Sequence, residues 1–453
     1  MPVRRNFYPA EFSTMRFIKQ TLVYSLTLFV IASKAQSIKS PSSEWLKNNT
    51  EKCFDWYKYL HANPELSAQE ERTSTYLKEI VSDFGYTIID SLGLHSFAAV
   101  LKNGNGPVVL FRTDMDGLPV KESTGLPYAS TQLVQQAGKS VSVMHACGHD
   151  FHMATWLSAA SILSQNRKSW SGTIIFLAQS AEEIAQGAKR VLSSNQYSKL
   201  PKSDFLFAIH DNSELEAGTA GFCNNYAMAG VDMMNITLYG KGGHGAAPHK
   251  TIDPILLAAN FITELQSIVS RNLSSNDPAV ITVGAINGGE VGNVIPNQVE
   301  LKLTIRSFDQ KARAIILNRI KTIGDNLARA AGLTDDKLPK YDLLDMTVPA
   351  VYNDPEMGEK LKKSIIQHIG ASAVKEVPAV MIGEDFGMYS GLDHTIPSYI
   401  LWMGTQTKNK IDSFTQQKKD FPTLHSSYYY PEFEEALPAS IKIVTACLFD
   451  LFK

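Results

Sequence analysis

The stretch PVVLFRTDMDGLP, Pro107 to Pro119, decides the architecture. Its opening PVVLF (107–111) is a continuous apolar run of the kind that makes a strand buried on both faces of a parallel sheet, and it empties into a polar segment carrying Asp114 and Asp116. Working outward, GTIIFLA (172–178) repeats the pattern and runs into QSAEEIAQGAKRVL, where Ser180 is placed to cap a helix whose first turn holds Glu182 and Glu183. FLFAI (205–209) does the same and ends at His210. Upstream, Trp45 to His61 has helical spacing, and HANPELSAQEERTSTYLKEIV continues as a Pro-broken turn and a second helix. Strands alternating with helices predict an α/β fold, a mixed, mostly parallel sheet flanked by helices. Ligands of such sheets bind beyond the carboxyl ends of the strands, where each polar cluster named here falls.

From Val231 to Thr347 the pattern changes. MMNITLY reads as a strand, Asp253-Pro254 opens a helix to about Arg271, AVITVGAIN and VELKLTIRSF are strands, Gln310 to Ala331 is a helix and YDLLDMTV a last strand. That order, β-α-β-β-α-β, predicts a small α+β domain at 230–348 inserted into a catalytic body made of 41–229 and 349–453. The remainder reads as a helix from Pro355 to Gly370, strands at PAVMI and SYILWMG, a polar loop from Lys408 to Lys419 and a final helix from Glu434.

A chain of 453 residues is about three times a typical domain, in keeping with two domains. With 44% apolar and 19% charged residues it is neither disordered, collagen-like nor coiled coil. A net charge of −2 without long runs of one sign leaves no electrostatic footprint for nucleic acid. Four cysteines in so long a chain cannot form a disulfide framework. Residues 1–35 read as a signal peptide: MRFIKQ, the apolar run Thr21 to Ala32, then small residues at Ser33 and Ala35 before Gln36. The run is about 12 residues, short of the roughly 20 a span needs. Export and cleavage after Ala35 are expected, with no membrane attachment afterwards; five basic residues and one acidic leave with the leader, taking the charge from −2 to −6. An uncleaved anchor is the alternative.

MHACGHDFH packs His145, Cys147, His149, Asp150 and His152 together, and imidazole with thiolate is the ligand set a divalent transition metal such as zinc prefers. The Cys-Gly-His spacing is expected to put both side chains on one side of an extended segment. A buried thiol among structural histidines would read the same way, and a lone His210 at a strand end is more often structural. The company of Asp114, Asp116 and Glu183 favours a metal, because crowded carboxylates repel unless a cation sits among them. Glu182 and Glu183 point about 100° apart in a helical turn, so one can ligate metal while the other takes a proton. GKGGHG (240–245) matches the dinucleotide fingerprint, but no helix follows at once; its glycines more plausibly let backbone pass close to a substrate and present His244.

The ordered succession HANPELSAQE, FRTDMDGLP, MHACGHDFH, QSAEE, GKGGHGAAPH, GNVIPN, IRSFD, GEDF and LHSS resembles the metal-dependent amidohydrolase branch of the aminoacylase and carboxypeptidase family, which includes hippurate hydrolases and auxin-conjugate hydrolases. The resemblance runs from His61 to the carboxyl terminus. It implies a catalytic α/β domain with an inserted ferredoxin-like lid that often mediates dimerisation. It also implies two divalent metal ions, zinc, manganese, nickel or cobalt, on Cys147, His149, Glu183, His210 and His425, with Glu182 as general base and Asp116 beside it among the catalytic residues. His244, Asn293 and Arg306 of the lid would approach the substrate carboxylate and oxyanion, His244 from a partner subunit of a homodimer. Two departures stand out: Ser180 replaces the family's usual Pro, and DNSEL follows His210 where a Val-Trp-Pro-like run is common, which bears on specificity. The expected activity is hydrolysis of the amide bond in N-acyl or aminoacyl amino acids with a free carboxylate. A dipeptidase or carboxypeptidase of the same chemistry is the alternative, and a non-catalytic exported metal- or peptide-binding protein is a third reading that Glu182 argues against.

Overall fold

The computed structural model describes residues 41–453 apart from 137, 418 and 420; the expected leader at 1–35 lies outside the described residues. Among those described, no helix is long and apolar enough to cross a membrane.

The main sheet has eight strands in the order Thr87–Ile89, Phe97–Asn103, Gly172–Gln179, Val108–Asp114, Phe205–Glu216, Ser398–Gln406, Ala220–Phe222, Val374–Glu376. The four from Gly172–Gln179 to Ser398–Gln406 are mutually parallel, and antiparallel neighbours flank them on each side. Every residue of Gly172–Gln179 and Ser398–Gln406 is buried, as expected of strands covered on both faces. One face is covered by the helix His149–Gln165, buried from His149 to Leu163 because it lies between the sheet and the helices Pro41–Ala62 and Phe433–Leu451. On the other face Leu110, Ile175, Leu206 and Trp402 pack against Val191 and Phe386.

Residues 230–348 form a second sheet, all antiparallel, in the order Ala279–Asn287, Gln298–Ser307, Gly230–Tyr239, Lys340–Leu343. Alternation along it sends Met234, Ile236, Leu301, Leu303 and Ile305 into a separate core beneath the helices Pro254–Ser267 and Gln310–Ala330. The elements follow in the β-α-β-β-α-β order read from the sequence. Asp253 accepts from the backbone of Ile255 and Leu256 ahead of Pro254, and Asp309 from that of Lys311, which fixes where both helices start.

Five local expectations are corrected. Ser180 caps no helix: its hydroxyl donates to buried Glu70, residues 181–186 make a turn with Ala181 and Ala185 at φ 62° and 55°, and the helix begins at Gly187. Cys147-Gly148-His149 is not extended, since Gly148 is left-handed (φ 72°) and caps the helix from His149. His210 lies inside the strand Phe205–Glu216, which runs on past it beside Ser398–Gln406. PAVMI, which opens on Pro378, keeps a single bridge at Val380, and the strand lies just before it at Val374–Glu376. Lys408–Gln417 is helical, with Thr407 Oγ1 accepting from the backbone of Lys410 and Lys408 pairing with Asp412 at 2.9 Å.

At Gly148 a Cβ would lie 2.3 Å from Asp211 Oδ2, in a conformation alanine adopts with strain. Gly148→Ala should therefore lower unfolding stability by on the order of 2 kcal/mol or more. Urea denaturation reads this, and an unchanged midpoint would count against the tight packing of Asp211 under the turn.

Candidate active site

Five candidate ligands converge at the carboxyl-end rim of the parallel strands. Cys147 Sγ lies 3.3 Å from His425 Nε2 and 3.7 Å from His210 Nε2, while Glu183 lies 3.8 Å from His149 Nε2 and 3.5 Å from His425 Nε2. His425, 278 residues from Cys147, is tied in by its backbone N–H, which donates to the carbonyl of Ala146 at 2.7 Å. His149 Nδ1 donates to the backbone carbonyl of Asp116 (2.8 Å), and His210 Nδ1 to that of Asp211 (2.9 Å). A carbonyl only accepts, so both rings carry the proton on Nδ1 and present the Nε2 lone pair to the rim. The buried atoms His149 Nε2 and Glu183 Oε1 have no hydrogen-bond partner among the described residues. Their spacing is too long for a hydrogen bond and suits two ligands sharing a cation, so the donor set fits divalent metal. Two groups of three bring these ligand atoms within 4.8 Å of one another, Cys147 with His149 and His210, and Cys147 with Glu183 and His425.

The electrostatics point the same way. Burial pushes Glu183 up to about 8, and burial with Glu384, Glu183 and Asp385 holds Glu182 well above the carboxylate range. Burial likewise raises the Cys147 thiol. Acidic groups driven towards their protonated forms are what a site built for cations shows without them. The Glu182 carboxylate makes no hydrogen bond among the described residues, while its backbone carbonyl accepts from Ala185 N–H at 2.7 Å within the turn that follows Gly172–Gln179. Glu182 and Glu183 stand on a turn rather than a helix, and a carboxylate oxygen of each comes within 4.8 Å of the other and of a His149 ring nitrogen.

Asp116 turns out to be a support. It holds His149 through its carbonyl, accepts from Ser67 Oγ (2.6 Å) and accepts from the backbone of Glu183 (2.9 Å). Asp150 and His152, quoted in the same cluster, also face away from the rim: Asp150 accepts from His61 Nδ1 at 2.6 Å, and His152 bridges Asp114 (2.7 Å) and Asp211 (3.1 Å). Residues given no role in the sequence underpin all this. Buried Arg112 spans Asp114 (2.6 Å), Glu384 (3.0 Å) and Asp385 (3.1 Å). A charged residue at the end of an apolar run, and the acidic pair in GEDF, were the available signals.

A cavity of about 310 Å³ opens on Cys147, Glu182, Glu183, His210 and His425, and Arg306 of the second sheet lines it. A larger one of about 590 Å³ beside Tyr128 and Phe433 holds none of these ligands, so chemistry rather than size selects the site. His244 and Asn293 are brought together but not to the cavity: they lie exposed on paired segments, with Gly245 N–H donating to the carbonyl of Asn293 at 2.9 Å.

Residues 110–444 match the model of peptidase family M20/M25/M40. The chain belongs to this family. It is 35% identical over 351 residues to N-acetylcysteine deacetylase of Bacillus subtilis, covering 76% of this chain and 86% of that one. It is 32% identical to N-acetyldiaminopimelate deacetylase of Ligilactobacillus salivarius, covering 86% and 94%. Among solved structures it is similar to a dinuclear metal binding peptidase of the M20 family from Bacillus subtilis, with 28% identity, a TM-score of 0.72, and 90% and 99% of the two chains covered. Membership in the M20 family makes this chain a metal-dependent amide-bond hydrolase.

Cys147→Ala and His149→Ala should each lower bound metal, whereas Glu182→Gln should keep it. Elemental analysis of the purified variants separates the two classes. Full metal in both ligand variants would make the cluster structural.

Proposed function

We propose that this chain hydrolyses the amide bond of N-acyl amino acids that carry a free carboxylate. The observation that carries the reading is Arg306. Its guanidinium is half-buried against Gly383, faces the cavity and has no carboxylate partner among the described residues; burial lowers its pKa, the sign of a cation short of a counter-ion. A substrate carboxylate supplies that partner in bidentate geometry. The rest of the wall is apolar, built from Val231, Met233, Met346, Met381 and Ile382, and favours an apolar acyl group or side chain over a second charge. Deacetylases among the relatives support the N-acyl reading, and a relative named thermostable carboxypeptidase 2 from Saccharolobus solfataricus, 32% identical with 81% of this chain and 90% of that one covered, supports a peptide substrate as the second.

Two divalent cations on Cys147, His149, Glu183, His210 and His425, whether zinc, manganese, cobalt or nickel, would polarise the scissile carbonyl and make water acidic enough to attack it. Glu182 takes the proton of the attacking water and returns it to the leaving amine. Arg306 fixes the carboxylate end, and the apolar wall keeps water from the substrate's flank.

The unit 230–348 acts as a lid in this reading. His244 and Asn293 reach a site in a second copy of the chain, with the exposed apolar side chains Ile255, Leu256, Val291 and Val294 near them as a homodimer surface. The leader directs export, and the exported chain should begin at Gln36, as Edman sequencing would read.

The test is turnover of matched N-acyl amino acids, their amide-capped analogues and dipeptides with each metal added. Arg306→Ala should lower kcat/KM about 10- to 150-fold on free carboxylates and little on capped analogues, the equivalent of a charge-assisted hydrogen bond worth roughly 1.5–3 kcal/mol. Equal losses on both would remove Arg306 from the carboxylate site. Glu182→Gln should cut kcat by about 10²–10⁴-fold with substrate affinity retained; parental turnover would overturn the mechanism.

A further inference from the structure

We propose that Glu70 is a positioning residue for Glu182 and Glu183, acting through the backbone that leads into them; the inference rests on the reading of Glu182 as the base. Glu70 is fully buried at the start of the helix Glu71–Asp83, yet its carboxylate makes no capping bond to that helix. The capping work is done by Glu65, which accepts from the backbone of Thr73 at 2.8 Å and of Arg72 at 3.3 Å. Glu70 instead reaches the end of the strand Gly172–Gln179, where it accepts from the hydroxyl of Ser180 and from the backbone N–H of Ala181 at 2.7 Å. A buried carboxylate released from its own helix and spent on two donors in a distant turn is costly to keep unless that turn needs it.

The turn does need an external brace. Ala181 sits at φ 62°, a left-handed conformation that a residue with a Cβ holds only under constraint, and it directly precedes Glu182. Ser180 N–H is held by Ser96 Oγ (2.9 Å), Glu183 N–H by Asp116 (2.9 Å) and Ala188 N–H by Asp385 (2.9 Å). Glu70 supplies the fourth anchor, at the residue whose torsion sets the direction in which Glu182 leaves the chain. Its loop also carries Ser67, which holds Asp116, so the HANPELSAQE segment braces the acidic turn from two sides. Loss of the brace lets Ala181 relax and carries Glu182 out of line. A displacement of about 1 Å in a reacting group costs on the order of 10²-fold in rate while leaving substrate binding alone.

The experiment compares Glu70→Ala, Glu70→Gln, Ser180→Ala and the double Glu70→Ala/Ser180→Ala variant, with kcat and KM normalised to metal-loaded protein. Glu70→Ala should lower kcat about 30- to 100-fold with KM and metal content within twofold of the parent. Glu70→Gln, whose amide oxygen still accepts from Ala181, should restore most of the rate. Ser180→Ala should cost a few-fold alone and nothing further once Glu70 is alanine, because both changes remove the same contact. If Glu70→Ala fails to fold, Glu70→Gln and Ser180→Ala still read the brace through kcat at constant KM. Parental kcat in Glu70→Ala, or a loss accounted for by metal content or KM, overturns the proposal. If Glu182→Gln has lost activity while Glu70→Ala has not, only the positioning role fails; if Glu182→Gln turns over at the parental rate, the reading of the base fails first.

Discussion

Arg112 is a guanidinium with no access to water, set in the middle of a parallel sheet, and the active-site side of the molecule is arranged around it. Its nitrogens reach Asp114, Glu384 and Asp385, and the side-chain oxygen of Gln179 accepts from its Nε at 3.2 Å. Burying one cation among three carboxylates leaves a negative surplus, and Asp116 and Asp211, both held against the effect of burial below the usual carboxylate range by their histidine partners, add to it. His152, raised to about 9 because Asp114 and Asp211 outweigh the effect of burial, returns part of the balance. Removing one member of such a buried set costs about 3–5 kcal/mol, because the partners left behind keep their desolvation penalty. The surplus that Arg112 and His152 do not cancel faces the cavity, where divalent cations would complete the balance.

That arrangement explains why three neighbouring histidines behave differently. His149 and His210 each donate Nδ1–H to a backbone carbonyl, with the carboxylate of Asp116 (3.4 Å) or Asp211 (3.1 Å) beside it, and turn Nε2 to the rim where a cation would sit. His152 is held by carboxylates at both nitrogens and acts as a buried cation. His61, in the last turn of the helix Pro41–Ala62, is likewise gripped by Asp150 and Glu122 and raised to about 9 against the effect of burial. Spacing within MHACGHDFH could not distinguish ligand from counter-ion. What distinguishes them is Nε2, held by a carboxylate in His152 and His61 and turned to the Cys147 and Glu183 rim in His210 and His149.

The same contrast accounts for what was legible in the sequence. The buried strands are written in continuous apolar runs, and the second sheet in a two-residue alternation, so PVVLF, GTIIFLA, FLFAI and the β-α-β-β-α-β order could be read directly. The cysteine-histidine cluster and the acidic pair were legible as chemistry because their side chains are unusual at strand ends. Ser180 misled because its capping hydroxyl is taken by Glu70, 110 residues away, a competition no local rule contains. Lys408–Gln417 was hidden for the opposite reason: a short polar helix stabilised by a cap and an ion pair has only Ile411 and Phe414, both half-buried, to announce it. Glu384, Asp385 and Arg112 escaped because their meaning is mutual and lies 272 residues apart.

The face that Arg306 presents follows from strand register alone. Arg306 lies directly opposite Val231, and Thr304 opposite Met233, so Arg306, Val231 and Met233 share the face towards the cavity. One residue along, Ile305 lies opposite Asp232 and Leu303 opposite Met234, on the face turned to the helices. A slip of one position would put Ile305 in the cavity and a guanidinium in the hydrophobic core, a cost no local relaxation absorbs. Asp232 reinforces the register on the helix side: it is buried and takes a bidentate pair from Arg313 of Gln310–Ala330 at 2.7 and 2.8 Å. The polar residue that looks out of place on the core face is thus the one that locks which way the substrate-facing residues point.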